Sequence, residues 1–329
     1  PIDAPYLIDS ADFVAVHHFD LLRTMRTVDV ARPGATVLVN SRWPAETLWD
    51  HLPVEVREII AERDLDLWTI DATKVARAAG LGGRINTVMQ PCFFFLSGVV
   101  EQDHAIARIK ESIEQTYGKR GRIVVERNFA AVDSAIAALQ RVDWRAAAAA
   151  ARDADGAHRM PPLPDAAPEF VRRVTATMLR GEGDTLPVSA LPVDGEWPTG
   201  TTRWEKRAIA QDIPIWDPSI CIDCGKCAVV CPHSAIRIKL APEEELAGAP
   251  DTFQSKPYKD RNLTGHRLIV QVAPDDCTGC GICVDVCPAR SKTEVKHKSI
   301  NMEPAHEHRD RERGNFEFFL GLLEIDRTK

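Results

Sequence analysis

The chain has 329 residues, 44% of them hydrophobic, and 41 Lys plus Arg against 48 Asp plus Glu leave a formal charge of −7. That length suggests two or three domains with real cores, and the acidic balance argues against a nucleic-acid or anionic-membrane partner. With no run of 18 apolar residues and no basic or apolar signal region in "PIDAPYLIDSADF", no membrane span is expected and the location is expected to be cytoplasmic.

From Asp12 to about Trp144 short apolar strands alternate with amphipathic helices. "DFVAVHHF" reads as a strand whose His17 and His18 are strand-end histidines, and "DLLRTMRTVDVARPG" as a helix ending at Pro33-Gly34. "ATVLVNS" is a second, β-branched strand. "PVEVREIIAERD" puts Pro53 in a first-turn position and repeats apolar residues at helical spacing. "LDLWTID" is a third strand, and "ATKVARAAGLGG" a helix with glycines at its end. Such alternation makes a parallel sheet covered by helices. Helices then dominate through "INTVMQPCFFFLSGVV", "DHAIARIKESIEQTYGK" and "NFAAVDSAIAALQRV", so residues 1–150 are expected to form an α/β domain. Cys92, beside three phenylalanines, is expected to be a buried, inert thiol.

Residues 151–199 are an Ala- and Pro-rich connector, read as a helical extension of the domain running into an extended stretch and then a Pro/Gly-rich ordered loop or linker. Residues 200–217 carry Trp204, Glu205, Lys206 and Arg207, a segment expected to clamp domains together. The cysteine region follows over 218–303. Residues 304–329 read as a solvated charge run containing His306 and His308, then an aromatic patch, "NFEFFLGLLEID", that docks on a neighbouring domain.

Eight of the nine cysteines fall into two C-x2-C-x2-C-x3-C-P runs, "CIDCGKCAVVCP" and "CTGCGICVDVCP". Without an export signal, a reducing compartment and a metal framework explain them better than disulfides. Three thiolates at i, i+3 and i+6 can wrap one cubane cluster on a tight loop, and in two-cluster domains the fourth cysteine ligates the other run's cluster. The spacing therefore assigns Cys221, Cys224, Cys227 and Cys287 to one 4Fe–4S cluster, and Cys277, Cys280, Cys283 and Cys231 to the second. Gly225, Gly279 and Gly281 let the backbone turn, and Pro232 and Pro288 redirect it. A four-cysteine zinc ribbon is the alternative, but it leaves half the thiolates idle. The repetition implies a small, pseudo-symmetric α+β ferredoxin-like domain. The stretch "LAPEEELAGAPDTFQSKPYKDRNLTGHRL" between the runs reads as a surface loop.

"TGTTRWEKRAIAQDIPIWDPSICIDCGKCAVVCPHSAIR", "CPARSKTEVKHKSINM" and the closing "NFEFFLGLLEIDRTK" resemble the EKR-containing and cluster-binding region of pyruvate:ferredoxin (flavodoxin) oxidoreductases. "HHFDLLRT", "GATVLVNS", "ETLWDHLP", "GLGGRINTVMQPCFF" and "TYGKRGRIVVERNFAAVD" resemble the same family's central α/β domain, so the resemblance covers nearly the whole chain. It implies thiamine-dependent oxidative decarboxylation of a 2-oxoacid to acyl-CoA, with electrons passing through three 4Fe–4S clusters to ferredoxin or flavodoxin. It further implies thiamine pyrophosphate, magnesium and the third cluster in other domains, and a homodimeric intact enzyme. No G-D-G…N motif and no cysteine after Cys287 is present, and the chain lacks an initiating Met. It therefore reads as an internal, excised or processed piece that leads to a thiamine-binding domain and does not oxidise pyruvate alone. The resemblance raises Arg84 and Asn86, in "GLGGRINT", as coenzyme A contacts, with a helix C-cap as the alternative for the glycines. Asn40 and Ser41 join them, at a strand end where α/β sheets bind ligands, with ordinary turn capping as the alternative. Action on another 2-oxoacid and a stand-alone electron carrier remain the rival functions.

Overall fold

A computed structural model describes residues 8–150, 157–159 and 163–325, and the chain divides into two units, Pro1–Trp204 and Glu205–Lys329. The first unit runs β1 (Ala11–Val16), α1 (Leu21–Thr24), β2 (Ala31–Asn40), α2 (Ala45–His51), α3 (Val54–Glu62), β3 (Asp66–Ile70) and α4 (Ala72–Ala78). Then come α5 (Asn86–Ser97), α6 (Gln102–Tyr117), α7 (Arg122–Ala135), β4 (Gln140–Arg141), α8 (Trp144–Ala150) and α9 (Ala176–Leu179). The sheet order is β1-β2-β3-β4, the first three parallel and β4 antiparallel on β3. β2 is buried on both faces, which is why "TVLVN" is an almost unbroken apolar run. Val37 and Val39 pack on Leu48, Leu52, Val56 and Ile60, while Leu38 packs on the opposite side against Ala72, Val88, Cys92 and Ala131. Each such fully buried aliphatic side chain contributes about 1.5–3 kcal/mol.

One sequence expectation is corrected here. The helix expected to run to Pro33-Gly34 is only four residues long, and Pro33 and Gly34 lie inside β2. The β1–β2 register jumps from Ala11↔Ala31 to Phe13↔Thr36, so Arg32–Ala35 bulge out where proline's missing N–H costs no ladder bond. Gly34 takes φ +75° there and its N–H donates to Arg63 O at 2.8 Å.

The connector also differs from expectation, in its described part. Leu163, Ala167, Val171 and Ala176 form a small core with Leu179 and Trp204 rather than an extended linker. The Arg159 guanidinium clamps the Asp29 carboxylate through two bonds, 3.2 and 2.6 Å, and its backbone N–H donates to Glu55. Burial alone would raise the Asp29 pKa, yet hydrogen bonds from Arg159 and Arg26 bring it below the ordinary carboxylate value. Residues 151–156 and 160–162 of the connector lie outside the described residues.

The second unit runs β5 (Asp212–Trp216), α10 (Lys226–Val229), β6 (Ile236–Pro242), β7 (Lys256–Pro257), β8 (His266–Val272), α11 (Ile282–Val286), β9 (Ile300–Pro304) and α12 (Ala305–Gly321). β5 pairs antiparallel with β9, and β8 lies antiparallel between β6 and β7. Each half is thus a strand, a cysteine loop, a one-turn helix and a strand, and the first strand of each half pairs with the last strand of the other. That interlock is the structural form of the sequence repeat. The stretch read as a loop between the runs instead contributes the end of β6 and the third strand, β7.

The expectation for residues 304–329 is corrected as well. The charge run and aromatics form one helix, α12, whose Phe319 is 1% exposed and packs with Leu322 on Ala241 and Ile269 of its own unit. Arg309 donates to Ala210 O at 2.6 Å and Arg313 to Asp275, so the basic side chains find partners within the unit rather than solvent.

Candidate metal centres

Each cysteine run turns twice through the left-handed region, at Asp223 and Gly225 in the first and at Gly279 and Gly281 in the second. Gly225 and Gly281 are the N-caps of α10 and α11, which carry Cys227 and Cys283 within their short turns. Cys231 and Cys287 follow as the chain leaves those helices. The position of Gly279 is sterically demanding, since a Cβ there would lie 3.1 Å from Asp212 O. Its N–H instead donates to Cys277 Sγ at 3.4 Å, and Ala235 N–H donates to Cys231 Sγ at 3.3 Å.

These turns gather the cysteines into two groups. A cavity of about 240 Å³ is lined by Cys221, Cys224, Cys227 and Cys287, with Trp216, Tyr258 and Ile300 among its apolar walls. A tighter one, about 20 Å³, is lined by Cys231, Cys277, Cys280 and Cys283. In each, three cysteines come from one run and the fourth from the other. Burial pushes the Cys227 thiol up to about 11, with Cys221, Cys224 and Cys287 adding to the rise, and burial raises Cys277 too, with Cys231 and Cys280 adding. Burial takes Cys283 to about 12, and Cys227 of the other group contributes, so the two groups feel each other. Thiols this reluctant to ionise become thiolates only against a strongly cationic centre.

The donor set fits iron–sulfur clusters: four soft sulfurs around a space, amide hydrogen bonds aimed at sulfur, and apolar walls.

The first unit holds the other sequence candidates. Asn40 is buried, donating its amide to His17 O (2.9 Å) and accepting from Ala72 N–H (3.0 Å), so it ties the end of β1 to the start of α4. Ser41 is also buried, and its hydroxyl accepts from Trp43 N–H at 3.0 Å. Gly80 stands at φ +75° where α4 ends. Its N–H reaches Arg77 O and the Leu81 N–H reaches Ala76 O, a paired C-cap with Leu81 turned into the core. Arg84 and Asn86 are exposed at the start of α5. Cys92 is fully buried and its thiol is pushed up to about 12 by burial. Sequence reasoning missed Tyr258, which follows β7 and lines the larger cavity, and Lys256 of β7, which bonds Asp223 and the Cys221 carbonyl; a two-residue strand leaves no periodic signal.

Fold and site together define an iron–sulfur protein of the two-cluster type, with an α/β domain preceding the cluster domain. Residues 220–291 match a 4Fe–4S dicluster domain, residues 157–210 match EKR, a domain of unknown function, and residues 1–138 match pyruvate ferredoxin/flavodoxin oxidoreductase. The chain is similar along its whole length to pyruvate-flavodoxin and pyruvate:ferredoxin oxidoreductases. It is 48% identical to a pyruvate-flavodoxin oxidoreductase of Rhodospirillum rubrum, over 100% of this chain and 27% of that one. It is 44% identical to a probable pyruvate-flavodoxin oxidoreductase of Escherichia coli (100% and 28%) and 42% identical to a pyruvate:ferredoxin oxidoreductase of Moorella thermoacetica (99% and 27%). The chain thus spans about a quarter of the length of these relatives. Among the described residues no helix is long and apolar enough to cross a membrane.

Proposed function

We propose that this chain is the electron-transfer portion of a pyruvate:ferredoxin/flavodoxin oxidoreductase. In that role it carries electrons from thiamine-dependent decarboxylation of pyruvate through two 4Fe–4S clusters to ferredoxin or flavodoxin. The observation that supports this reading best is the crossed grouping of Cys221, Cys224 and Cys227 with Cys287, and of Cys277, Cys280 and Cys283 with Cys231. Clusters held there supply one-electron storage. The protein's own part is to keep the two sites adjacent, to cover them with Trp216, Ile236 and Ile300, and to leave Cys224 and Cys280 exposed toward an acceptor. Thiamine pyrophosphate, magnesium and a third cluster belong, in this reading, to segments other than residues 1–329. The intact assembly is a homodimer in a reducing cytoplasm.

Coenzyme A is assigned to the first unit with Arg84 and Asn86 as its contacts, because both are exposed at the N-terminal end of α5. Asn40 and Ser41, buried and engaged with backbone, serve the sheet instead.

The test is stopped-flow mixing of the anaerobically reconstituted, dithionite-reduced chain with oxidised flavodoxin, freed of excess reductant. Semiquinone formation matched to cluster reoxidation is expected. A chain that reduces methyl viologen but neither flavodoxin nor ferredoxin would overturn the reading.

A further inference from the structure

The two cysteine loops differ at one matched position. The third residue is Asp223 in "CIDC" and Gly279 in "CTGC", and both sit at positive φ, +62° and +72°. Asp223 is one of the residues that line the larger cavity. A negative charge there opposes the addition of an electron to a cluster in that cavity.

Its counter-charge comes from the stretch between the two runs. β7 pairs on β8 through Lys256↔Leu268 and Pro257↔Arg267. It is fastened there by the Arg267 guanidinium, which donates to Ser255 Oγ at 2.7 Å and to Ser255 O at 3.1 Å. The Tyr258 N–H donates to His266 O at 2.9 Å, and its ring forms part of the cavity wall. From this strand the Lys256 ammonium donates to Asp223 Oδ1 at 2.7 Å and to the Cys221 carbonyl oxygen at 2.6 Å. The two side chains are only 17% and 20% exposed, so the pair is screened far less than a surface ion pair. The second loop also has a lysine, Lys206, but it meets Asp276 ahead of the first cysteine, and at 37% it is more exposed.

We propose that Lys256 is a positioning and potential-setting residue for the cluster of Cys221, Cys224, Cys227 and Cys287. It holds the first ligand loop by the Cys221 carbonyl and cancels the charge of Asp223. The inference rests on the two-cluster reading above. Reduction adds one electron to the cluster, from dithionite in the assay, with no bond made or broken. Removing Lys256 leaves Asp223 without its ion-pair partner and makes that reduction harder; removing the Asp223 charge leaves the ammonium and makes it easier.

The experiment is an EPR-monitored redox titration of the cluster-loaded chain. Lys256→Met lowers the potential of one of the two reduction steps, and Asp223→Asn raises the same step. Each shift is about tenfold in the reduction equilibrium, which is 59 mV for one electron. Lys206→Met leaves that step in place. If Lys256→Met fails to load the first cluster, Asp223→Asn decides alone, since it keeps the lysine and still raises the step. Two normal clusters with unmoved potentials, or shifts of the same sign in both variants, overturn the role of Lys256 alone. A wild-type chain without iron and sulfide overturns the two-cluster reading and this inference together.

Discussion

Gly279→Ala and Gly281→Ala form a matched pair that isolates one contact. Both glycines are left-handed, φ +72° and +75°, so an alanine at either pays a backbone cost of about 1–2 kcal/mol. At Gly281 a Cβ meets nothing within 4 Å, whereas at Gly279 it would lie 3.1 Å from Asp212 O and 3.6 Å from Ala210 Cβ. The obstacle is the backbone of β5, held by its ladder to β9, and crowding of that kind adds about 1–3 kcal/mol. For a unit of this size 1 kcal/mol moves Tm by roughly 3–5 °C. Gly281→Ala should therefore melt about 3–10 °C lower and Gly279→Ala about twice as far. The assay is anaerobic melting followed by the visible absorbance of the clusters, at one scan rate. Equal losses in the two variants would mean that the close approach to β5 does not exist.

Phe319→Ala should cost the second unit about 3–5 kcal/mol, since the ring is 1% exposed against Ala241 and Ile269; a denaturation midpoint unchanged from wild type would mean that α12 does not dock there. The hydrogen bond to Asp217 raises the His297 pKa above its usual 6.5, against an opposing effect of burial. Its contribution to stability is therefore complete below about pH 6.5 and is lost as pH rises through the raised value. His297→Gln should flatten the fall in Tm between pH 6 and 8, and an identical fall in both proteins would exclude the pair as its source. Cys92, with its thiol pushed up to about 12 and fully buried, should resist iodoacetamide at pH 8 until the protein unfolds. Peptide mapping that finds it alkylated in the native protein would contradict that placement.

The strands of the α/β domain were legible because they are short apolar runs buried on both faces, as "TVLVN" shows. The bulge at Arg32–Ala35 was not, because Pro33-Gly34 stops a helix as readily as it bends a strand. Three cysteines of each group were legible from the i, i+3 and i+6 spacing of one run, and the crossed fourth from the pattern of two-cluster domains. The role of the chain's end was hidden by composition: α12 carries its charges on nearly every turn, and only Phe319, Glu312 and Asn315 with a few neighbours meet the sheet. Lys256 was hidden for a different reason. Its importance comes from pairing with Asp223, 33 residues away, and pairing between distant positions leaves no local pattern. Asn40 stood out at a strand end where ligands bind, yet its amide satisfies the backbone at His17 and Ala72, a distinction that only coordinates can make.

Two clusters on eight cysteines fix the iron and sulfide content of the chain. Anaerobic measurement of that content, taken together with the EPR spectrum of the dithionite-reduced chain, tests for them most directly. About eight irons and about eight sulfides per chain are expected, with the broadened signal of two coupled 4Fe–4S clusters. Zinc without iron or sulfide, after anaerobic reconstitution has also failed, would exclude both clusters.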